Sequence, residues 1–184
     1  MAPPKSRKIA IMGYRSVGKS SITIQFVENQ FVDSYDPTIE NTFTRSLKVN
    51  GQEYQLQIVD TAGHDEYSLF PEAYTLDIHG YVLVYSVNSN KSFEVVKVIH
   101  EKLLDMVGTV QVPILLVGNK TDLHNDRVIS TDAGKKLSQS WGAHFLECSA
   151  KHNMDVQQIF KEIILEMERQ EGNIPEEKKN CSIS

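Results

Sequence analysis

At 184 residues, 40% hydrophobic and 23% charged, with a net charge of −5 spread over both signs, the chain has the profile of one globular domain, and no basic field makes nucleic acid its main partner. Cys148 and Cys181 are too few for a disulfide framework, and MAPPKSRK precedes only a short apolar run, so a reducing, cytoplasmic compartment is expected. No stretch approaches the roughly 18 apolar residues of a spanning helix, so membrane association would need an anchor.

KIAIMG (8–13) predicts a strand ending in glycine, and KSSITIQFVENQF (19–31) follows with helical spacing. TFTRSLKVN (42–50) and QEYQLQIVD (52–60) alternate apolar with polar residues and meet at Asn50-Gly51, a strong hairpin signal. GYVLVYSV (80–87) and VPILLVGN (112–119) are nearly continuous apolar runs, as in strands buried on both faces of a parallel sheet. Helical patterns cover 92–107, 131–141 and 154–170, with one more strand ending at Glu147. The alternation predicts an α/β fold, doubly wound, with a mostly parallel six-stranded sheet flanked by helices. Residues 1–170 are expected to form one domain, and 171–184, which lose periodicity, a flexible tail.

Gly13-Tyr14-Arg15-Ser16-Val17-Gly18-Lys19-Ser20 has the spacing GxxxxGK[ST] between a strand and a helix. Glycines let backbone N–H groups wrap a phosphate, Lys19 adds a point charge, and the Ser20 hydroxyl can ligate Mg²⁺. By chance the pattern arises on the order of once in a hundred or two chains of this length. ATP enzymes carry it too, so the base must be read elsewhere. Asn119-Lys120-Thr121-Asp122 ends a later strand, and the Asp122 carboxylate can accept from guanine N1–H and the 2-amino group, a donor pair that adenine lacks. Glu147-Cys148-Ser149-Ala150-Lys151 can offer backbone N–H groups to guanine O6.

With FVDSYDPTIENTF (31–43) and DTAG (60–63), these motifs make the chain resemble a Ras-superfamily small GTPase, and more closely the Rheb family, over nearly its full length. The tyrosine-arginine-serine filling of the phosphate loop points to Rheb, because most Ras relatives place small residues there. The resemblance implies a GTP-binding domain over 1–170 and a switch that binds GTP or GDP with Mg²⁺ and hydrolyses GTP slowly. Its nucleotide contacts would come from Gly13, Ser16, Val17, Gly18, Lys19, Ser20 and Ser21, with Asn119, Lys120, Asp122, Ser149, Ala150 and Lys151 at the base. Phe31 and Val32 would border the guanine and Tyr35 lie over the phosphates, although Phe31 and Tyr35 can also be read as ordinary packing aromatics. Thr38 would join Ser20 on the metal, Asp60 would hold the metal shell through water, and the N–H groups of Thr38 and Gly63 would contact γ-phosphate. Loss of γ-phosphate would release both segments.

His64 stands where Ras and Rheb relatives place a glutamine that orients the attacking water. A neutral imidazole can donate and accept as an amide does, and translational GTPases also carry histidine after DxxG. Its shorter stem can instead miss the water, and a misplacement of about 1 Å can cost a hundredfold. The third alternative is a solvated bystander. Arg15 either crowds the place where an activator would insert an arginine finger or is a solvent-exposed loop cation. In the Rheb family the activator is a tuberin-type protein that inserts an asparagine, and the effector is the target-of-rapamycin kinase complex, met through Pro37, Thr38, Ile39, Glu40 and Asn41.

Cys181-Ser182-Ile183-Ser184 fits C-a-a-X, with terminal serine favouring farnesyl added by a prenyltransferase. One lipid and no polybasic patch predict reversible residence on the cytosolic face of the lysosome, Golgi or endoplasmic reticulum. His144, Cys148 and His152 are spaced by four but span a strand and the guanine loop, an accidental pattern for a metal site. Trp141, Phe160 and Ile164 read as core contacts. Two rival functions are a constitutively GTP-loaded module and a P-loop nucleotide kinase, the latter opposed by NKTD.

Overall fold

The computed structural model describes residues 3–15, 17–28, 41–60, 77–108 and 112–173. In chain order the elements are β1 (Lys5–Gly13), α1 (Lys19–Glu28), β2 (Asn41–Val49), β3 (Gln52–Asp60), β4 (Gly80–Ser86), α2 (Asn90–Val107), β5 (Ile114–Asn119), α3 (Thr131–Trp141), β6 (His144–Glu147) and α4 (Val156–Gln170). The six strands form one sheet in the order β2-β3-β1-β4-β5-β6. Among the described residues, only β2 runs antiparallel to its neighbour.

Successive residues of a strand point to opposite faces, and the apolar runs use both. Ile9, Ile11, Val82, Val84, Leu115 and Val117 pack with Ile22 and Phe26 of α1 and with Phe160, Ile163 and Ile164 of α4. Ala10, Met12, Leu83, Tyr85 and Leu116 face the other way, against Phe93, Val96 and Ile99 of α2 and Leu137 of α3. Two helices therefore cover each face, as the alternation of elements predicts. Asn50 (φ 50°) and Gly51 (φ 81°) both adopt the left-handed conformation that a two-residue hairpin turn demands.

Element boundaries differ from expectation for identifiable reasons. β1 begins three residues before Lys8, because polar Lys5–Arg7 pair with Tyr54–Leu56 of β3. β5 begins at Ile114 rather than 112, because Pro113 has no N–H for the ladder and offers only its carbonyl, which accepts from Tyr81 N–H at 2.9 Å. α2 starts two residues early, where the Ser89 side chain caps the Ser92 N–H. Asp155 takes the left-handed conformation (φ 62°) and delays α4 to Val156. Helix α1 is described as far as Glu28, and residues 29–31 of the expected helix lie outside the described residues. Phe160 and Ile164 are fully buried, and the Trp141 ring stacks on His100 at 4.0 Å, which places all three in the packing expected of them.

Buried Glu168 fixes α4 to the amino ends of β1 and β3. It accepts from Tyr54 Oη (2.9 Å), Asn173 Nδ2 (2.7 Å) and Lys5 Nζ (3.4 Å). The carboxyl ends of the strands, where open α/β sheets bind ligands, stay clear of this bracing. Among the described residues, no helix is long and apolar enough to cross a membrane.

Candidate functional site

The turn from β1 into α1 is shaped by close approach. A Cβ on Gly13 would stand 2.3 Å from the Val84 carbonyl oxygen of β4. At Gly18 it would stand 2.3 Å from Asn119 Nδ2, on a backbone at φ +97° that L side chains rarely adopt. Val17 is fully buried between them. Arg15 is exposed, its guanidinium 5.5 Å from the centre of the Tyr14 ring, and Ser21 lies half-buried on the first turn of α1. The N-terminus of α1 thus opens at the strand ends, where its dipole favours an anion.

Lys19 is 5% exposed, and its ammonium donates to the carbonyls of Gly13 (3.1 Å) and Tyr14 (3.0 Å). Burial pulls its pKa down to about 8, opposed by the nearby Asp60 carboxylate. The Ser20 hydroxyl donates to Asp60 Oδ2 at 2.5 Å across 40 residues of sequence. Asp60 is itself 1% exposed, and burial pushes its carboxyl up, opposed by the Ser20 bond and by Lys19. Among the described residues its Oδ1 is buried without a hydrogen-bond partner. An orphaned carboxylate oxygen beside a hydroxyl is the hard oxygen chemistry that Mg²⁺ takes, with few protein ligands. The pair therefore fits such an ion. Among the described residues, no group of three or more His, Cys, Asp or Glu side chains forms a metal site.

The base side lies at the ends of β5 and β6. Asn119 joins the two halves: its Nδ2 donates to the Val17 carbonyl (2.9 Å), and its Oδ1 accepts from Ala150 N–H (3.2 Å) and Cys148 Sγ (3.3 Å). Lys120 follows in the left-handed conformation (φ 68°). The Thr121 N–H and hydroxyl both donate to the Cys148 carbonyl, at 3.2 and 3.1 Å. The buried Ser149 hydroxyl donates to Asp122 Oδ1 (2.8 Å) and orients that carboxylate. Lys151 is exposed at the rim.

Sequence reasoning missed three supports of this loop pair. Arg127 forks onto Glu147 with hydrogen bonds of 2.8 and 3.2 Å, and Thr131 donates to the same carboxylate (3.0 Å). Gln25 of α1 donates to the Ala150 carbonyl (2.8 Å). Gln25 carries the one legible signal, a polar residue on the buried stripe of Ile22 and Phe26. The third is the tie from Asn119 to Val17.

Ser16, Phe31, Val32, Tyr35, Pro37, Thr38, Ile39, Glu40, Gly63, His64 and Cys181 lie outside the described residues. Asn41 opens β2 directly opposite Asp60, so the expected effector segment ends beside the proposed metal ligand. His144 does not join Cys148 or His152. Its ring nitrogens face Glu162 (3.6 Å) and Glu166 (3.5 Å) of α4. Cys148 is buried, its Sγ donates to Asn119 Oδ1, and burial pushes its thiol pKa up.

A family model described as the Ras family matches residues 8–169. The chain is 67% identical over 183 residues to the GTP-binding protein Rheb of Homo sapiens and 68% to that of Mus musculus, covering 100% of each chain. It is 61% identical over 182 residues to the GTP-binding protein Rheb homolog of Drosophila melanogaster, covering 99% of this chain and 100% of that one.

Proposed function

From the premise that this chain belongs to the Ras family, on its Rheb branch, we propose how its residues bind a guanine nucleotide and switch with its hydrolysis. It is a small GTPase that binds GTP or GDP with Mg²⁺, hydrolyses GTP, and acts as a switch with effectors and regulators. The observation that carries the assignment of roles is the meeting of Ser20 with the orphaned Asp60 carboxylate beside buried Lys19, at the carboxyl ends of β1 and β3.

Backbone N–H groups of Gly13, Ser16, Val17, Gly18, Lys19, Ser20 and Ser21 cradle the phosphates, and the Lys19 ammonium exchanges its carbonyl partners for phosphate oxygens. Ser20, Thr38 and Asp60 would hold Mg²⁺, Asp60 through water, and the ion would neutralise charge on the phosphate oxygens. Asp122 reads guanine N1–H and the 2-amino group, and the Ser149-Ala150-Lys151 loop meets O6, with Asn119 and Lys120 holding the loops together. Phe31 and Val32 flank the base, and Tyr35 covers the phosphates. The Gly63 N–H, with that of Thr38, senses γ-phosphate, so hydrolysis releases Pro37–Asn41 from the effector-binding form. The effector in this reading is the target-of-rapamycin kinase complex and the activator a tuberin-type protein. A farnesyl on Cys181, placed by a prenyltransferase, returns the protein reversibly to the cytosolic face of endomembranes. Fractionation of Cys181→Ser is expected to move most of the protein from membrane to supernatant, and an unchanged membrane fraction contradicts the anchor.

A second reading, a GTP-loaded module with negligible turnover, is favoured by His64 and by Arg15, which would crowd an arginine finger. Single-turnover hydrolysis of bound GTP with Mg²⁺, from pH 5.5 to 8, tests both. GTP is expected to be hydrolysed slowly and ATP not to compete. A roughly tenfold or greater gain in His64→Gln means the histidine impairs the switch. Equal, pH-independent rates mean that position 64 is a bystander and that control lies with the activator.

A further inference from the structure

Gln25 is 6% exposed on α1 yet takes no part in the phosphate or metal chemistry. It sits six residues past Lys19, about 9 Å along the helix. From there its amide donates to the Ala150 carbonyl at 2.8 Å, 125 residues away in sequence. The Ala150 N–H is held by Asn119 Oδ1 at 3.2 Å, and the same Asn119 amide donates to the Val17 carbonyl of the phosphate loop at 2.9 Å. Both polar backbone groups of one guanine-loop residue are thus gripped by side chains of other elements, and each grip leads back to the phosphate loop or to the helix that follows it. A buried amide that ends on a loop carbonyl selects one placement of that loop, because the alternatives leave donor and acceptor unpaired.

We propose that Gln25 is a positioning residue for the base, which holds the Ser149-Ala150-Lys151 loop in its place against the guanine and so sets how long the nucleotide stays bound. The inference rests on the guanine-site reading above. Gln25 joins the base loop to α1, so the helix that carries the phosphate-binding N-terminus and the loop that carries the base move as one unit. The chemistry recognised is that of a guanine nucleoside diphosphate, and the quantity governed is its dissociation rate. Gln25 also borders a cleft of about 420 Å³ lined by Phe26, Val27, Glu28, Arg45, Asn153 and Gln157.

The test is release of a fluorescent GDP from the Mg²⁺-bound protein into excess unlabelled GDP, for the parent, Gln25→Leu and Gln25→Glu. Gln25→Leu keeps the bulk and removes the donor, and is expected to release GDP roughly tenfold faster, the cost of one buried hydrogen bond. In Gln25→Glu at pH 8 a carboxylate faces the Ala150 carbonyl and release is faster still. Burial of the position raises the carboxyl pKa, so lowering the pH towards 5 increasingly gives that side chain an O–H to donate and its rate relative to the parent falls towards one, a rescue that a merely structural role would not produce. Glu28 and Arg45 border the same cleft in every variant, and the ratio to the parent at each pH removes their contribution. Release within twofold of the parent for both variants at every pH overturns the proposal. A parent that retains ADP as well as GDP overturns the guanine-site reading, and the proposal with it.

Discussion

Asp122→Asn is expected to turn the base preference from guanine towards xanthine. The wild-type carboxylate is acceptor only and suits the two donors of guanine, N1–H and the 2-amino group. An amide keeps one acceptor and presents one donor, which suits xanthine, whose N1–H donates and whose 2-oxo group accepts. Ser149 keeps its hydroxyl directed at position 122 and can donate to the amide oxygen as it does to Oδ1 now, so the loop has no reason to rearrange. A site built around buried polar groups rejects the mismatched base strongly, so GDP affinity should fall roughly a hundred- to thousandfold while XDP affinity rises. Competition of GDP, XDP and ADP against a labelled nucleotide measures it. An unchanged preference for GDP would remove Asp122 from base recognition.

Lys19→Met is expected to separate binding from folding. Burial lowers the lysine pKa from 10.5 to about 8, so keeping the cation buried is a cost to the ligand-free fold. Methionine fills similar space without that cost, although it leaves the carbonyls of Gly13 and Tyr14 to water and Asp60 without its neighbour. The nucleotide-free variant should therefore melt within a few degrees of the parent, whereas GDP affinity should drop at least a hundredfold for want of the phosphate charge. The pH dependence has a definite sign. The folded pKa lies below the unfolded one, so between about pH 8 and 10.5 the unfolded state binds more protons and parent stability rises with pH. Below pH 8 the penalty is fully present. GDP affinity of the parent runs the other way and weakens above pH 8 as the free protein loses the lysine proton. Subtracting Lys19→Met from the parent, by denaturant unfolding without nucleotide and by titration with GDP, isolates both slopes. Parallel curves would show that Lys19 does not titrate there.

The phosphate loop was legible in the sequence, but the reason for each glycine was not. Glycine suggests a backbone freed from the usual conformations, and Gly18 adopts such a one at φ +97°. Gly13 instead answers to the neighbouring strand, where a Cβ would strike the Val84 carbonyl oxygen at 2.3 Å. Asn119 is similar. The motif marks it for base recognition but does not say that its amide also bonds Val17 and Ala150, joining the phosphate and base loops.

What the sequence determined by itself was everything written locally. Apolar runs of two-sided strands, the Asn50-Gly51 turn, helical spacing and the GxxxxGK[ST] and NKTD motifs depend on residues within a few positions of one another, because backbone geometry fixes which neighbours share a face. They gave the fold class, the nucleotide and the site residues expected at each strand end. Only tertiary structure decided which distant groups meet. Ser20 with Asp60, Gln25 with Ala150 and Arg127 with Glu147 are joined by the order of strands in the sheet. Burial at those junctions, not residue type, moves Lys19 and Asp60 from their ordinary pKa values. Desolvation and hydrogen-bond partners are properties of the packed neighbourhood, and a sequence names the groups without saying which of them will be removed from water together.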